Sequence, residues 1–388
     1  MKERLKTWIT AKLKRLQGKD PTMPHLPDQR KYALTTASLT EYLLAEECLF
    51  FKKLPYEIRH RILVIAFGNR RIHMDLSLAH PPRKPIQAKR NGNRTHSITN
   101  DHCGRHRDTW PLGPFDTSKP QRWEWRGCLC HRIPPDSRGD FHDRARNVPQ
   151  PGDDRCCTGF GASCDQWPGQ VPDKCWIGVM GWLLTCRQSY VEGIQVLYAT
   201  NTIHIASKAL LTHISSLVLP QRLMGISSLE ISWDTGVHEH EGTVFLNQDD
   251  LKSILTILSS HFPSLRFLHL ALKMQVNIQL PVRLGATLRV LDSFIRNKSL
   301  KFTVSVTSSV FRQLYRTVRE EITGGKGPYD FSDYQLWRHL VGTFELVPWR
   351  WTDIPKSFGE GYWIAIGDNN DLKFDYMIES DACAILRD

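Results

Sequence analysis

Between residues 201 and 323 the chain alternates two kinds of apolar pattern, and this alternation restricts the fold more than any other feature. "NTIHIAS", "ISSLEISW", "SLRFLHLAL" and "LKFTVSV" are short, with apolar residues at every second position. "KALLTHISSLVL", "NQDDLKSILTILSSHF", "ATLRVLDSFIRN" and "SSVFRQLYRTVREE" stand between or after them, with apolar residues at helical spacing. Strands separated by helix-length segments pair in parallel, because an antiparallel neighbour needs only a tight turn. The expected class is therefore α/β, a layered, largely parallel βαβ domain, with α+β as the alternative. Local chemistry supports one boundary well. Asn247 is placed to cap a helix whose first turn holds Asp249 and Asp250, and Leu251, Ile254, Leu255 and Leu258 share its apolar face. Upstream, Leu183, Leu184, Cys186, Tyr190, Ile194, Leu197 and Tyr198 predict a helix or helix pair. "GYWIAIGD" and "LKFDYMIES" predict two closing strands around the turn "NN". A leucine-rich repeat fits less well: Leu229 and Leu265 stand 36 positions apart, beyond a usual period of about 20–29.

Residues 81–175 are of another kind. They hold twelve of the 22 prolines, and seven aliphatic residues: Ile86, Ile98, Leu112, Leu129, Ile133, Val148 and Val171. That is too little apolar surface to offset the entropy of ordering the backbone, so the stretch is expected to be a long disordered insertion. It divides the chain into a basic N-terminal segment (1–47), a helix-bearing segment (48–80), the insertion (81–175) and the core (176–388). Residues 81–150 carry 14 Lys/Arg against seven Asp/Glu, whereas 151–388 carry 22 against 25. The positive net charge of +11 thus belongs to the first part of the chain. Leu5, Trp8, Ile9, Leu13 and Leu16 predict an amphipathic helix at the start. No apolar run reaches the roughly 18 residues that span a bilayer, and the first residues lack a secretory leader's apolar stretch. Ten cysteines without a leader point to reduced thiols and to the cytoplasm or nucleus.

"FKKLPYEIRHRILVIAFG", residues 51–68, is the most apolar element before the insertion. Proline at the first helical position costs nothing there, Glu57 suits the positive end of the helix dipole, and Gly68-Asn69 ends the helix. Leu54, Ile58, Ile62 and Ala66 recur every four residues, with Leu63 and Ile65 widening the stripe. So short a helix is marginal alone, and its stripe must dock on something. The expectation is internal docking of helix 54–66 on helix 182–198. Ile58→Ala or Ile62→Ala would then cost about 2–5 kcal/mol.

Motifs for catalysis are missing. "GGKG" at 324–327 lacks the spacing of a phosphate loop, and "GFGASC" at 159–164 has Cys164 where a dinucleotide loop needs glycine. No cofactor and no enzymatic activity are expected. "HEHE" at 238–241 reads as a polar loop. His102, Cys103, His106, Cys128, Cys130, His131, Cys156, Cys157, Cys164 and Cys175 are zinc-competent residue types, but no Cys-x-x-Cys pair occurs, and no metal site is assigned.

Three sequence blocks resemble a known family. Leu54, Pro55, Glu57, Ile58 and Arg59, then Leu183, Leu184, Thr185, Cys186, Arg187, Gln188, Tyr190 and Glu192, then Leu197, Tyr198, Asn201 and Thr202, are similar to the pattern LPxEIR … LLxTCRQxYxE … LYxxN, with Thr185 directly after Leu184 where the pattern has one residue between. This is similar to a large family of filamentous-fungal proteins of unknown function with an F-box-like start. Ile203 stands where that family has an aromatic residue, and 100 positions separate the two ordered halves here, unlike a compact F-box. The resemblance implies an interaction or scaffold protein, including a substrate adaptor of a cullin-type ubiquitin ligase. It places a candidate interface for a Skp-type adaptor at Leu54, Pro55, Ile58 and Ile62. The alternative is a weak nucleic-acid or chromatin binder acting through the basic N-terminal part. Its signature would be aromatics interleaved with positive charge, such as Trp123 and Trp125 beside Arg122 and Arg126.

Overall fold

A computed structural model of the chain describes residues 23–24, 48–80, 118–132, 177–274, 280–296, 298–324, 334–348 and 359–367. Its helices are α1 (Leu49–Lys53), α2 (Tyr56–Phe67), α3 (Val179–Leu183), α4 (Arg187–Ala199), α5 (Lys208–Thr212), α6 (Ile214–Leu217), α7 (Pro220–Gly225), α8 (Gln248–His261), α9 (Gly285–Ile295) and α10 (Ser308–Thr323). Its strands are β1 (Arg71–Ala79), β2 (Arg122–Leu129), β3 (Thr202–Ile205), β4 (Ser228–Asp234), β5 (Val237–His240), β6 (Thr243–Leu246), β7 (Phe267–Lys273), β8 (Val282–Arg283), β9 (Lys301–Val306), β10 (Tyr334–His339), β11 (Phe344–Pro348) and β12 (Gly361–Ile366). Nine of them form one sheet in the order β11-β10-β12-β9-β7-β4-β3-β1-β2.

The six strands β1, β3, β4, β7, β9 and β12 are mutually parallel and lie side by side in chain order. The class is α/β, as the alternation predicts. Strand order has a further consequence. Right-handed crossovers that always step the same way put every connecting helix on the same face of the sheet. The core bears this out. Leu211, Ile254, Leu288, Val310 and Phe311 from the helices pack with Ile203, Ile231, Leu270, Val304 and Ile364 from the strands in one apolar cluster. Asn247 caps α8, accepting from the backbone N–H groups of Asp249 and Asp250. On the helix side, Asp292 of α9 accepts from Arg338 Nε at 2.9 Å and Nη2 at 2.7 Å, and from the Tyr362 hydroxyl at 2.9 Å. This triad fastens β10 and β12 to the helical layer. Burial, and then the Asp292 charge, push the Tyr362 phenol upward.

Three expectations need correction. Residues 71–79, beyond the helix end at Gly68-Asn69, form β1, whereas residues 122–129 lie in the expected disordered insertion but form β2. β2 pairs antiparallel with β1 from Ile72↔Leu129 to Ala79↔Arg122. An edge strand needs few aliphatics of its own when a partner's ladder and the core accept it; here Leu129 is buried and Trp123 packs on the core. "HEHE" is not a loop. It covers the end of β5 and the turn into β6, with Glu241 and Gly242 at φ +50° and +67°, both left-handed as a tight hairpin of type I′ requires. "LKFDYMIES", residues 1–22 and the insertion apart from 118–132 lie outside the described residues.

The third correction concerns α2. It docks on α4, as expected, but of the expected stripe Leu63 is buried while Ile58, Ile62 and Ile65 are exposed. Arg59, Leu63 and Phe67 are buried, with Leu63 and Phe67 packed against Val179, Leu183, Ile194 and Val196. Ile58 and Ile62 are 47% and 40% exposed. Apolar residues surround this helix on several sides, so their spacing does not choose the buried face. A polar interaction does. Arg59 donates from Nε to Glu192 Oε2 at 3.0 Å and from Nη2 to Oε1 at 2.6 Å, and from Nη1 to the Leu54 carbonyl at 2.6 Å. Gln188 also donates to Glu192, at 3.0 Å. A buried ion pair needs such a full set of partners, and removing one partner strands the other charge. Glu192→Ala is therefore expected to lower stability to chemical denaturation by about 3–5 kcal/mol, and Arg59→Met/Glu192→Leu to recover most of that loss.

Candidate functional site

The face of the sheet away from the main core carries polar groups in one row. In β1, β3, β4, β7 and β9 a polar residue sits between two apolar ones: His73, His204, Glu230, His269 and Thr303. Period-two alternation sends the apolar neighbours to the helices and these residues to the opposite face. Register then aligns them. Cys128, His73, His204, Glu230, His269, Thr303, Trp363, Trp337 and Glu345 are consecutive partners across all nine strands. His73, His204 and Glu230 are buried, and His269 is half-buried.

The row is tied together by direct contacts. The Nδ1 atoms of His73 and His204 lie 2.8 Å apart, so one ring donates to the other. Glu230 accepts from Arg71 Nε at 2.8 Å and from Arg132 Nη2 at 2.6 Å. Arg132 lies just beyond β2 and is itself buried, so the chain leaving the edge strand reaches back over the polar face. Burial pushes the Glu230 carboxyl upward, but Arg132 and Arg71 together outweigh it and hold the group at about 2. His269 is driven the other way: burial, with only partial relief from Glu230, lowers it to about 4. Its Nε2 meets Ser305 Oγ at 3.1 Å. A hydroxyl beside a neutral imidazole is the start of a nucleophilic pair, but Ser305 is 1% exposed and cannot reach a substrate.

The row borders a cleft of ≈ 640 Å³ at the N-terminal ends of the parallel strands. Arg71 and Glu230 form one wall, Phe267 and Lys301 line the middle, and Trp337 and Trp363 close the far side with rings 4.9 Å apart, edge to face. Open α/β sheets hold their cofactors at the opposite, C-terminal ends, where strand order reverses. Strand order never reverses among these six parallel strands, so that crevice does not form.

Residues singled out in the sequence fall elsewhere. Pro55 and Ile58 are exposed, Leu54 is half-buried, and Ile62 is exposed, all on or beside the outward side of α2. Trp123 packs on the core and Trp125 is 47% exposed, while Arg122 alternates onto the other face and pairs with Glu124 at 2.6 Å. Cys128, Cys130 and His131 are buried, and no group of three metal-ligating side chains occurs among the described residues; the other zinc-competent residues lie outside them. No helix among the described residues is long and apolar enough to cross a membrane. The histidine row was missed in the sequence, although its signal was present. "IHM", "IHI", "LEI", "LHL" and "FTV" each place one polar residue between apolar ones at the same point of a strand.

A family model described as a domain of unknown function (DUF7730) matches residues 118–280, from just before β2 to just before β8. That stretch contains His204, Glu230, His269, Arg132 and Glu192, but neither Arg59 nor His73. No curated protein and no solved structure matches the chain.

The electrostatics predict how the fold responds to acid. The folded His269 titrates near 4, below its ordinary value of about 6.5, so its neutral form stabilises the fold. That contribution is complete above pH 6.5 and is lost as pH falls towards 4. Glu230, held near 2, adds a second loss between about 4.5 and 2. Denaturation followed against pH is expected to show a first loss on the order of 2–3 kcal/mol between 6.5 and 4. His269→Gln should flatten this window and leave the lower one, in surroundings that still hold Arg71, Arg132, His204 and Glu230.

Proposed function

We propose that this chain is a non-enzymatic interaction or scaffold protein that offers the outer side of α2 to a protein partner. The partner in this reading is a Skp-type adaptor, which would make the chain a substrate adaptor of a cullin-type ubiquitin ligase. One observation carries the proposal. Ile58 and Ile62, with Tyr56 and Ile65 beside them, are 40–72% exposed on a helix whose opposite side is fastened by Arg59–Glu192 and by Leu63 and Phe67. Scattered exposed apolar residues are ordinary. Four on a twelve-residue helix that already has its own buried stripe are not needed for folding. Leu54 and Pro55 continue this side towards α1, as the F-box-like pattern LPxEIR implies. Rigid presentation matters, since a preordered helix loses less entropy when it docks.

The test uses the full chain and purified Skp-type adaptor. Ile58→Ala/Ile62→Ala should leave the melting temperature within about 2 °C, because exposed side chains contribute little to stability. Adaptor capture should fall by at least about tenfold, the loss of roughly 1.4 kcal/mol of binding. Leu63→Ala, by contrast, removes a buried side chain and should cost about 2–5 kcal/mol of stability. An unmutated chain that fails to capture the adaptor, or a double variant that captures it undiminished, would contradict the proposal.

A further inference from the structure

The outward side of α2 is not purely apolar. Arg61 stands three residues after Ile58 and four before Ile65, which puts the three side chains on one side of the helix. Arg61 is exposed, and it makes no hydrogen bond, ion pair or ring contact with any described residue. Glu57, one turn earlier, does not pair with it. The other arginine of the helix, Arg59, is already matched by Glu192 at 2.6 Å.

The surroundings of the stripe are positive as well. Lys52 and Lys53 are exposed at the end of α1. Arg70, just beyond α2, donates to the Ala66 carbonyl at 2.8 Å. Glu57 is the sole carboxylate in residues 48–70. With Arg59 neutralised by Glu192, the cations Lys52, Lys53, Arg61 and Arg70 stand against Glu57 alone.

This charge sets a condition on whatever covers the stripe. A surface that buries Ile58 and Ile65 also takes the Arg61 guanidinium out of water. A buried charge without a partner is costly, so the covering surface must supply an acceptor. A carboxylate matches the forked N–H groups of a guanidinium best. A nucleic-acid backbone would answer the charge but offers nothing to three isoleucines. An uncharged apolar groove would answer the isoleucines but strand the charge.

We propose that the partner of α2 presents a carboxylate to Arg61, set in an apolar surface that covers Ile58, Ile62 and Ile65. Arg61 is then the residue that selects the partner, because it penalises every apolar surface lacking that carboxylate. The inference rests on the adaptor reading and names the chemistry that reading requires of the adaptor's surface.

The experiment measures the affinity of the full chain for purified Skp-type adaptor by calorimetric titration. Arg61→Met keeps an apolar stem and removes the charge, so the sign of its effect is decisive. Opposite a carboxylate, the change strands the adaptor's charge, and affinity falls by about tenfold or more. Opposite an uncharged surface, it removes a desolvation cost, and affinity rises. The expected result is the fall. Arg61→Glu should bind at least about a hundredfold more weakly than the parent. Replacing one acidic residue of the adaptor by lysine should restore binding to Arg61→Glu. Arg283→Glu, on the separate three-stranded sheet, should bind like the parent. All three variants should melt within about 2 °C of the parent, since both positions are exposed.

Tighter or undiminished binding by Arg61→Met, no restoring lysine anywhere in the adaptor, or an equal loss in Arg283→Glu would overturn the inference. If the parent still captures the adaptor through Ile58 and Ile62, the adaptor reading survives that failure. A parent chain that captures no adaptor overturns both. So does binding instead to vesicles of phosphatidylserine and phosphatidylcholine that Ile58→Ala/Ile62→Ala and Arg61→Glu abolish, which would mark this side of α2 as a membrane surface.

Discussion

The contact between Arg59 and Glu192 joins parts of the chain separated by 133 positions, and the placement of α2 depends on it. It fixes the rotation of α2 against α4, and the chain just beyond both helices then continues the match. Asn201 is fully buried, accepts from the Arg70 N–H at 2.8 Å and donates to the Phe67 and Leu197 carbonyls. Thr202 N–H donates to the Arg70 carbonyl at 2.8 Å. β1 and β3 therefore leave the helix pair in register, Arg71 beside Thr202 and His73 beside His204. Gly68 lies at this junction, where an added Cβ would sit 2.6 Å from Thr200 Oγ1. The sequence blocks LPxEIR, TCRQxYxE and LYxxN have a structural explanation here: Cys186 caps α4, Gln188 supports Glu192, and Asn201 clamps the two strand entries.

Because the parallel strands follow chain order, the sheet has two unlike faces. Helices cover one, and its chemistry is apolar. The other carries the polar row, and only local polar contacts answer its burial: His73 with His204, Glu230 with two arginines, His269 with Ser305. Buried polar groups cost free energy unless they are paired, so the row constrains both strand register and the path of the chain after β2. It also leaves a charged cleft at one end of the sheet.

Much of the fold was legible in the sequence, and the failures have physical causes. β4, β7 and β9 follow from strict alternation, and α8 from a cap and a four-residue stripe that no other face contests. α2 was harder: Ile58, Ile62, Leu63, Ile65 and Phe67 allow two stripes, and the choice rests on Arg59 meeting a glutamate far along the chain. No periodicity encodes such a distant polar pair. β1 was readable from "RIHMDLSLA", whose Ile72, Met74, Leu76 and Leu78 alternate with His73, Asp75 and Ser77, but the helix before it drew it into the same segment. β2 is poor in aliphatics because it is an edge strand, and composition alone made its surroundings look structureless. The cleft was not legible at all, since Arg71, Phe267, Lys301 and Trp363 come together only through sheet order.

The rotation of α2 is the central claim, and native-state thiol labelling reads it most directly. Ile62→Cys and Leu63→Cys place a thiol at adjacent positions, and peptide-resolved mass spectrometry separates their rates from those of the ten native cysteines. With α2 turned by Arg59–Glu192, the thiol from Ile62→Cys should react within a few-fold of an unfolded peptide. The thiol from Leu63→Cys should react about a thousandfold more slowly, as a group reached only by opening of about 4 kcal/mol would. Equal protection at both positions, or faster labelling in Leu63→Cys than in Ile62→Cys, would contradict the account.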